Sequence, residues 1–242
     1  MPAAALFVSD LHLAPERPAV TEAFLEFLRG AETPALYILG DLFEAWIGDD
    51  DDSPLAQSVT GALATASARG IRLHFLAGNR DFSVGQRFAR STGARLLGDQ
   101  ESVSIAGRRL LLLHGDTLCT DDAAYQRFRR RIRNPWVLAL LRRLPLAARR
   151  RIAQRWREAS TRHNSNKPEY IMDVNEQAVA EAFRTSQAEL MIHGHTHRPG
   201  RHVYRIDDRE CERIVLGDWT TEQGWYARLE DSGSPELRSL AL

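Results

Sequence analysis

Five short apolar runs in this chain each end in residues that can bind a metal ion. The first three, Ala3–Val8, Ala35–Leu39 and 71–77, are separated by two segments with apolar residues at helical spacing, 20–28 and 55–68. Short buried strands that alternate with helices predict an α/β fold with several neighbouring strands. This pattern constrains the chain strongly, because it fixes where the polar ends of the strands can meet.

The later part of the chain also predicts strands, together with one more helix. Runs 103–105 and 109–113 flank a short turn and indicate a hairpin. A helix near 174–183 leads to a strand at 189–192. The residues after 197 alternate with turns and are predicted to form strands.

The polar residues at the five strand ends form a set of candidate metal ligands. They are Asp10 and His12, then Asp41, then Asn79, then His114, and finally His195 and His197. Ligands of an open sheet bind outside the carboxyl ends of its strands, so these side chains can converge. Mixed nitrogen and oxygen ligands suit Mn²⁺, Fe or Zn²⁺. Seven ligands suit two ions that share one carboxylate, an arrangement used for displacement at phosphorus.

Each of these motifs, taken alone, also has an ordinary structural explanation. Asp-x-His occurs in surface loops, Gly-Asp often forms a turn or a helix cap, and a histidine can simply end a strand. His195 and His197, two residues apart in a tight loop, form the most specific pair. His193 has the opposite parity and is expected to support the ligands or to be structural. The occurrence of all five motifs together favours a metal site.

The order of the motifs resembles that of the calcineurin-like metallophosphoesterase superfamily. The superfamily pattern is D-x-H, G-D, G-N-[HR]-[DE], a strand-end His and G-H-x-H, and the chain carries every part, including Gly78-Asn79-Arg80-Asp81. The resemblance covers nearly the whole chain outside one Arg-rich insertion. It implies an α/β fold of the αββα type, in which two mixed β-sheets are flanked by helices.

The resemblance also implies a centre of two Mn²⁺ ions per chain. One ion would be held by Asp10, His12, Asp41 and His197, and the other by Asp41, Asn79, His114 and His195, with Asp41 as the bridge. Catalytic roles are implied for Asp41, Asn79, Arg80 and His195. The ions would bind phosphoryl oxygens and activate a water molecule for in-line attack.

Arg80 departs from the commoner form of the superfamily motif. Many members have a histidine there, which can protonate the leaving group. An arginine cannot act as a general acid because its pKa exceeds about 12, but it can bind phosphate oxygens with two parallel hydrogen bonds. Arg80 therefore favours a pyrophosphate or phosphodiester substrate, whose leaving group is already stable, over a phosphomonoester.

The chain is neutral overall, but its charge is unevenly distributed. Between 121 and 167 there are fourteen basic and three acidic residues, a local net charge of +11, so the remainder carries −11. Pro135 and Pro145 are expected to interrupt the helices of this segment. We predict one domain, 1–242, with an Arg-rich helical cap insertion at about 121–167.

Apolar residues recur among the arginines of this insertion: Phe128, Ile132, Trp136, Leu140, Leu141, Leu144, Ile152 and Trp156. In one interpretation they pack on the body of the protein and the arginines are solvated. In a second, the insertion covers the metal site and offers apolar surface to acyl chains and cations to phosphates or anionic lipid. In a third, arginine and tryptophan bind nucleic acid.

Within the superfamily, the motif spacing and residues 160–170 resemble the pyrophosphohydrolases of lipid A biosynthesis. The resemblance implies hydrolysis of UDP-2,3-diacylglucosamine to UMP and 2,3-diacylglucosamine 1-phosphate at the cytoplasmic face of the inner membrane. The partners expected are the glycolipid nucleotide and the membrane surface, with no nucleic acid and no obligate protein partner. The implied substrate contacts are Asn79, Arg80, Asp122, Ser160, Asn164, Lys167 and His195.

Two other functions remain open at this point. One is a nuclease or nucleotide phosphodiesterase of the same superfamily, with a cap that binds nucleic acid. The other is a non-enzymatic interaction module, which the full set of seven ligand positions disfavours. A composition of 43% hydrophobic and 26% charged residues excludes intrinsic disorder. Cys119 and Cys211 lack metal-ligand spacing and are expected to be ordinary thiols.

Overall fold

The computed structural model describes residues 3–164 and 173–242, and the side chains of all of these except 158–164. The strands are β1 (Ala3–Val8), β2 (Ala35–Leu39), β3 (Arg72–Leu76), β4 (Arg95–Leu96), β5 (Gln100–Ile105), β6 (Arg108–Leu113), β7 (Leu190–His193), β8 (Gly200–Ile206), β9 (Arg209–Val215), β10 (Gln223–Glu230) and β11 (Pro235–Ala241). The helices are α1 (Pro18–Gly30), α2 (Pro54–Ala68), α3 (Gln86–Thr92), α4 (Ala123–Ile132), α5 (Pro135–Arg143), α6 (Leu146–Asn164) and α7 (Glu176–Ser186).

The strands form two mixed sheets, as predicted. The first has the order β11-β10-β1-β2-β3-β4, with β1 to β4 parallel and β10 antiparallel to both of its neighbours. The second has the order β5-β6-β7-β9-β8, with β6, β7 and β9 parallel and antiparallel strands at both edges. This topology confirms the predicted α/β class.

The two sheets and their helices make four layers around three apolar clusters. Phe7 of β1 and Leu112 of β6 belong to the cluster between the sheets. Ile38 of β2 shares a second cluster with Phe24 of α1, on the outer side of the first sheet. Phe183 of α7 belongs to a third cluster, which covers the outer side of the second sheet. Strands buried on both faces explain why the sequence shows continuous apolar runs rather than alternation.

The strand ends bring the polar motifs to one edge of the sandwich. β1, β2 and β3 are parallel neighbours that end at Val8, Leu39 and Leu76. β6 and β7 are parallel neighbours that end at Leu113 and His193, one residue later than predicted for β7. Because carboxyl ends of parallel strands share an edge, the loops that follow all five strands lie near one another.

The sequence did not predict α3 and β4. Helix α3 has seven residues, of which Phe88 and Thr92 are buried, so its apolar spacing is too short to show a helical period. The helix ends at Gly93, which has the left-handed φ of 75° that favours glycine. Strand β4 has two residues, which is too few for an apolar pattern.

Helices α4, α5 and α6 follow β6 and lie in the segment predicted to be helical; we call them the cap. Pro135 occupies the first turn of α5, and the side chain of Asn134 accepts a hydrogen bond from the N–H of Trp136. Both features stabilise the start of a helix. Among the described helices, none combines the length and apolar character needed to cross a bilayer.

Candidate metal centre and adjoining cavity

Asp10, His12 and His197 converge on one point at the edge of the sandwich. Oδ1 of Asp10 lies 3.3 Å from Nε2 of His197 and 3.9 Å from Nε2 of His12. The two Nε2 atoms are 3.3 Å apart. Oδ2 of Asp10 accepts a 2.8 Å hydrogen bond from the backbone N–H of His195, which joins the β1 loop to the β7 loop. These three side chains form a group that could hold one metal ion.

Asn79, His114 and His195 form a second convergence. Oδ1 of Asn79 lies 3.0 Å from Nε2 of His114 and 2.9 Å from Nδ1 of His195. The other nitrogen of His114, Nδ1, donates to the carbonyl of Leu39 over 2.9 Å. A backbone acceptor on one imidazole nitrogen leaves the other free to bind a metal.

Asp41 lies between the two convergences. Its Oδ2 is 3.9 Å from Nε2 of His12, and its Oδ1 is 3.7 Å from Nε2 of His114. Oδ1 also accepts a 2.8 Å hydrogen bond from the backbone N–H of Arg80. Asp10, Asp41 and His114 form a further candidate group, so Asp10 faces both halves of the site, which the sequence did not predict.

Five of the seven predicted ligands have a left-handed backbone. The φ angles are 55° at Asp10, 49° at His12, 53° at Asp41, 68° at His195 and 54° at His197. Residues other than glycine rarely adopt this region, and such strain is concentrated at functional sites. The left-handed residues lie in the loops that follow β1, β2 and β7.

Two motif glycines allow the loops to approach the carboxylates. A Cβ atom at Gly78 would overlap the carboxylate of Asp41, and one at Gly194 would overlap that of Asp10. The glycine of each Gly-Asn or Gly-His motif is therefore required by close packing against an acidic residue of another loop.

The electrostatic surroundings of Asp10 and His195 favour the protonation states that metal binding needs. At His197 they do not, because Asp10, against the effect of burial, raises the pKa of this histidine to about 9, so that it has to release a proton when a metal binds. Burial alone would raise the pKa of Asp10, but the adjacent imidazole of His197 holds that pKa below its usual range. Burial, helped by the charge of His114, lowers the pKa of His195 to about 4. Asp10 is thus ionised and His195 neutral at neutral pH, and these are the ligating forms.

The residues present fit a divalent metal. Oδ1 of Asp10 is buried and makes no hydrogen bond of good geometry among the described residues, although Nε2 of His197 lies 3.3 Å from it. A buried, unsatisfied carboxylate oxygen is costly, and a bound cation would satisfy it. Carboxylate, amide and imidazole donors together match the ligand preference of first-row divalent metals.

Asp81, the last residue of the Gly78 motif, holds two ligand loops together. It is fully buried, and its carboxylate accepts 2.8 Å hydrogen bonds from the N–H groups of Leu42 and Gly78. Burial, reinforced by the charge of Asp41, raises the pKa of Asp81 to about 6. Asp81 belongs to a recognised motif, but its role could not be predicted from the sequence.

Glu44 is a residue of the site that the sequence analysis missed. Its Oε2 lies 3.0 Å from Nδ1 of His12, and its Oε1 lies 3.7 Å from Nη1 of Arg80. Burial alone would raise the pKa of Glu44, but His12 and Arg80 lower it. Its position, three residues after Asp41 in the same loop, was the available signal.

A family model described as calcineurin-like phosphoesterase matches residues 4–199 of the chain. The chain belongs to this phosphoesterase family. It is 50% identical over 221 residues to a UDP-2,3-diacylglucosamine hydrolase of Escherichia coli (strain K12 / DH10B), and the match covers 90% of this chain and 92% of the relative. A relative of the same name from Escherichia coli O81 (strain ED1a) matches equally well.

The phosphoesterase fold is also found by structural comparison. An archaeal phosphodiesterase of known structure matches 98% of this chain and 99% of its own, with a TM-score of 0.50 and 14% sequence identity. At this identity the likeness concerns the fold, which agrees with the αββα sandwich.

In this phosphoesterase, a cavity of about 470 Å³ adjoins the candidate metal ligands. Asn79 and Arg80 lie at its metal-site side, and Trp46 and Phe82 of the body line it further along. The cap supplies most of the remaining wall, and it does so mainly with apolar side chains: Tyr125, Phe128, Leu138, Leu141, Ile152 and Trp156. The cavity therefore combines an arginine beside the ligands with an apolar chamber under the cap.

Ion pairs join helix α4 of the cap to the body. Arg129 Nε lies 2.7 Å from Asp116 Oδ2, and Arg133 Nη1 lies 2.6 Å from Asp99 Oδ1. Arg133 also donates a 2.8 Å hydrogen bond to the carbonyl of Gly78, directly before Asn79. Part of the cap's positive charge is thus paired with carboxylates of the body, whereas the first interpretation of the insertion expected solvated arginines.

Six of the eight apolar residues given for the insertion fall into two groups. Phe128, Leu141, Ile152 and Trp156 line the cavity. Trp136 and Leu140 are not among the lining residues, and their side chains are 84% and 64% exposed. The sequence predicted one apolar face, whereas α5 has two.

The structure describes only some of the remaining residues that the sequence singled out. Asp122 caps α4, where its side chain accepts a 3.0 Å hydrogen bond from the N–H of Tyr125. The side chains of Ser160 and Asn164 and the whole of Lys167 lie outside the described residues. Buried His193 accepts from Arg213 over 3.2 Å, and burial followed by the charge of Arg213 lowers its pKa to about 3. His193 therefore supports the fold beside the site.

Proposed function

We propose that the chain hydrolyses the pyrophosphate bond of UDP-2,3-diacylglucosamine, releasing UMP and 2,3-diacylglucosamine 1-phosphate in lipid A biosynthesis. The observation that carries the proposal is the cavity, which begins at Asn79 and Arg80 beside the ligand cluster and continues into an apolar chamber under the cap. A substrate with a charged pyrophosphate and two acyl chains requires this combination. The 50% identity to hydrolases named for this substrate supports the assignment.

Two Mn²⁺ ions per chain form the proposed cofactor. The first would be held by Asp10, His12, Asp41 and His197, and the second by Asp41, Asn79, His114 and His195. When bound, the ions supply Lewis-acid stabilisation of phosphoryl oxygens and a water nucleophile that is available at neutral pH. The convergence of Asp10 with both His12 and His114 supports a compact two-ion site.

The side chains around the ligands have separate tasks. Arg80 binds and orients a phosphate group, since it remains charged and offers two parallel donors. Glu44 keeps His12 in the orientation needed for ligation and limits the freedom of Arg80. Asn79 and His195 serve both as ligands and as contacts to the substrate.

The cap completes the substrate site. We treat 1–242 as one domain with the cap as its insertion, placed over the ligands by Arg129 and Arg133. The acyl chains occupy the apolar chamber, and burial of each methylene stabilises the complex by about 0.8 kcal/mol. Asp122, Ser160, Asn164 and Lys167 remain the proposed contacts to sugar and phosphate.

We place the protein at the cytoplasmic face of the inner membrane. Two long acyl chains keep the substrate in a bilayer, so the enzyme has to work at the bilayer surface. The apolar cavity beside an Arg-rich cap supports this location.

A substrate comparison tests the proposal. The purified protein, supplied with Mn²⁺, is assayed on UDP-2,3-diacylglucosamine, on an activated phosphodiester and on a short single-stranded nucleic acid. We expect the diacylated substrate to have a kcat/KM at least a hundredfold higher than the other two. Preferred cleavage of the nucleic acid would replace the proposal with the nuclease alternative.

A further inference from the structure

Helix α5 exposes a large apolar surface in addition to the residues that line the cavity. Trp136 is 84% exposed and Leu140 is 64% exposed, which is unusual for side chains of this size on one short helix. Exposed apolar residues that lie together on a surface indicate a binding face.

The helical repeat separates the two surfaces of α5. Trp136 and Leu140 are four residues apart and share one face, and the exposed Arg143 lies on the same face. Leu138 and Leu141 project to the opposite side, where they line the cavity. We call Trp136, Leu140 and Arg143 the outer face of α5.

Exposed arginines also occur on the neighbouring helix α4. Helix α4 packs next to α5 and carries three exposed arginines, Arg127, Arg130 and Arg131. By helical spacing they lie on a different face of α4 from Arg129 and Arg133, which pair with carboxylates of the body. In the described part of the chain, none of Arg127, Arg130, Arg131 and Arg143 pairs with a carboxylate. Their charge is therefore available to an external anionic partner.

We infer that the outer face of α5 inserts into the headgroup region of an anionic phospholipid bilayer, with the free arginines of α4 and α5 against the lipid phosphates. Tryptophan and arginine are suited to this depth, since each has an apolar part and a polar end. A bilayer is favoured over a protein partner because several unpaired arginines of the cap accompany a small exposed apolar surface. The inference rests on the proposed function, which supplies a bilayer-resident substrate to the inner surface of the same helix.

Vesicle co-sedimentation without substrate tests the inference independently of catalysis. Wild-type protein is mixed with vesicles of phosphatidylethanolamine and phosphatidylglycerol, or of phosphatidylcholine alone. The variants are Trp136→Ser/Leu140→Ser, which removes the apolar centre, and Arg130→Gln/Arg131→Gln/Arg143→Gln, which removes charge. Val203→Ser is the matched control, because Val203 is 69% exposed on the edge strand β8.

We expect wild type and Val203→Ser to bind the anionic vesicles equally, and more weakly as salt rises from about 0.1 M to about 0.5 M. Both other variants should lose at least tenfold in vesicle affinity at unchanged melting temperature. Absence of wild-type binding, or equal binding by the Trp136/Leu140 variant, would overturn the inference. The inference would also be overturned if the wild type were a dimer and the Trp136/Leu140 variant a monomer, because the outer face would then join two copies of the chain. Loss of vesicle binding with full hydrolysis in detergent would leave the proposed function standing.

Discussion

Oε2 of Glu44 lies 3.0 Å from Nδ1 of His12. A carboxylate on the far nitrogen of a metal-binding imidazole fixes the ring orientation and increases its basicity. Glu44 also approaches Arg80 with its second oxygen, so one side chain connects a proposed metal ligand with the proposed phosphate-binding residue.

Replacing Glu44 tests this connection. Glu44→Gln should weaken Mn²⁺ affinity by about ten- to a hundredfold, because His12 loses the negative charge beside its Nδ1. Isothermal titration with Mn²⁺ measures the change, and Glu22→Gln, on the exposed surface of α1, serves as the control. Unchanged affinity of Glu44→Gln would show that His12 does not need this partner.

Asp41→Ala tests the bridging role. Asp41 is the carboxylate between His12 and His114, so its loss would remove a ligand from both proposed ions. We expect kcat to fall by several orders of magnitude, since positioning and charge stabilisation fail together. Steady-state kinetics of the wild type and the variant at saturating Mn²⁺ measure the change in kcat. A variant that keeps more than about a tenth of the wild-type kcat would contradict a shared ligand.

The positions of polar residues at the strand ends predicted which candidate ligands converge, whereas the detailed geometry of the site needed the fold. Parallel strands bring Asp10, Asp41 and Asn79 to one edge whatever their separation in sequence, so the apolar runs were a sufficient signal. The left-handed backbone of His195 and His197 had no sequence signal, because residues other than glycine give none for a positive φ.

The cap shows a different limit. Its helices and their proline boundaries were predicted, but helical spacing cannot say which side of a helix meets the body. Leu140 and Leu141 are neighbours in sequence with similar chemistry, yet one is exposed and the other lines the cavity. The tertiary placement of α5, which depends on distant contacts such as Arg133 with Asp99, decides between them.

Leu141 and Leu140 therefore form a matched pair for testing the cavity. With a UDP-diacylglucosamine whose short acyl chains keep it monomeric in water, Leu141→Ser should raise KM roughly tenfold, because buried methylenes lose their contact. Leu140→Ser should leave KM within twofold. Equal effects on the diacylated substrate and on a soluble phosphodiester, with a lowered melting temperature, would reduce Leu141 to a packing role.

Arg80 should bind phosphate without transferring a proton. We expect kcat/KM for the diacylated substrate to fall moderately in Arg80→Lys, which keeps the charge, and further in Arg80→Ala, which loses charge and geometry. Steady-state kinetics of the wild type and both variants measure this stepwise fall in kcat/KM. If Arg80→His cleaved a phosphomonoester faster and kept full pyrophosphate activity, the role given to Arg80 would be wrong.

The stability of the metal-free protein should depend on pH through His197. Burial alone would lower the pKa of this histidine, but Asp10 beside it raises the pKa to about 9. A folded-state pKa above the ordinary value of about 6.5 stabilises the protein below pH 6.5 and loses this contribution as pH rises through 9. Denaturant unfolding of metal-free wild type and His197→Asn should therefore show a stability difference that shrinks between pH 6.5 and 9. A difference that grows over this range would contradict the raised pKa.

Product analysis shows whether the pyrophosphate bond is cleaved at the proposed two-metal site. Metal-stripped protein is incubated with UDP-2,3-diacylglucosamine, with and without added Mn²⁺, and the products are identified by mass spectrometry. We expect UMP and 2,3-diacylglucosamine 1-phosphate to form in equal amounts with Mn²⁺ in the wild type, and neither product to form in Asp41→Ala. Intact substrate after prolonged incubation of the Mn²⁺-loaded wild type, or products from cleavage at any other bond, would contradict the proposed function.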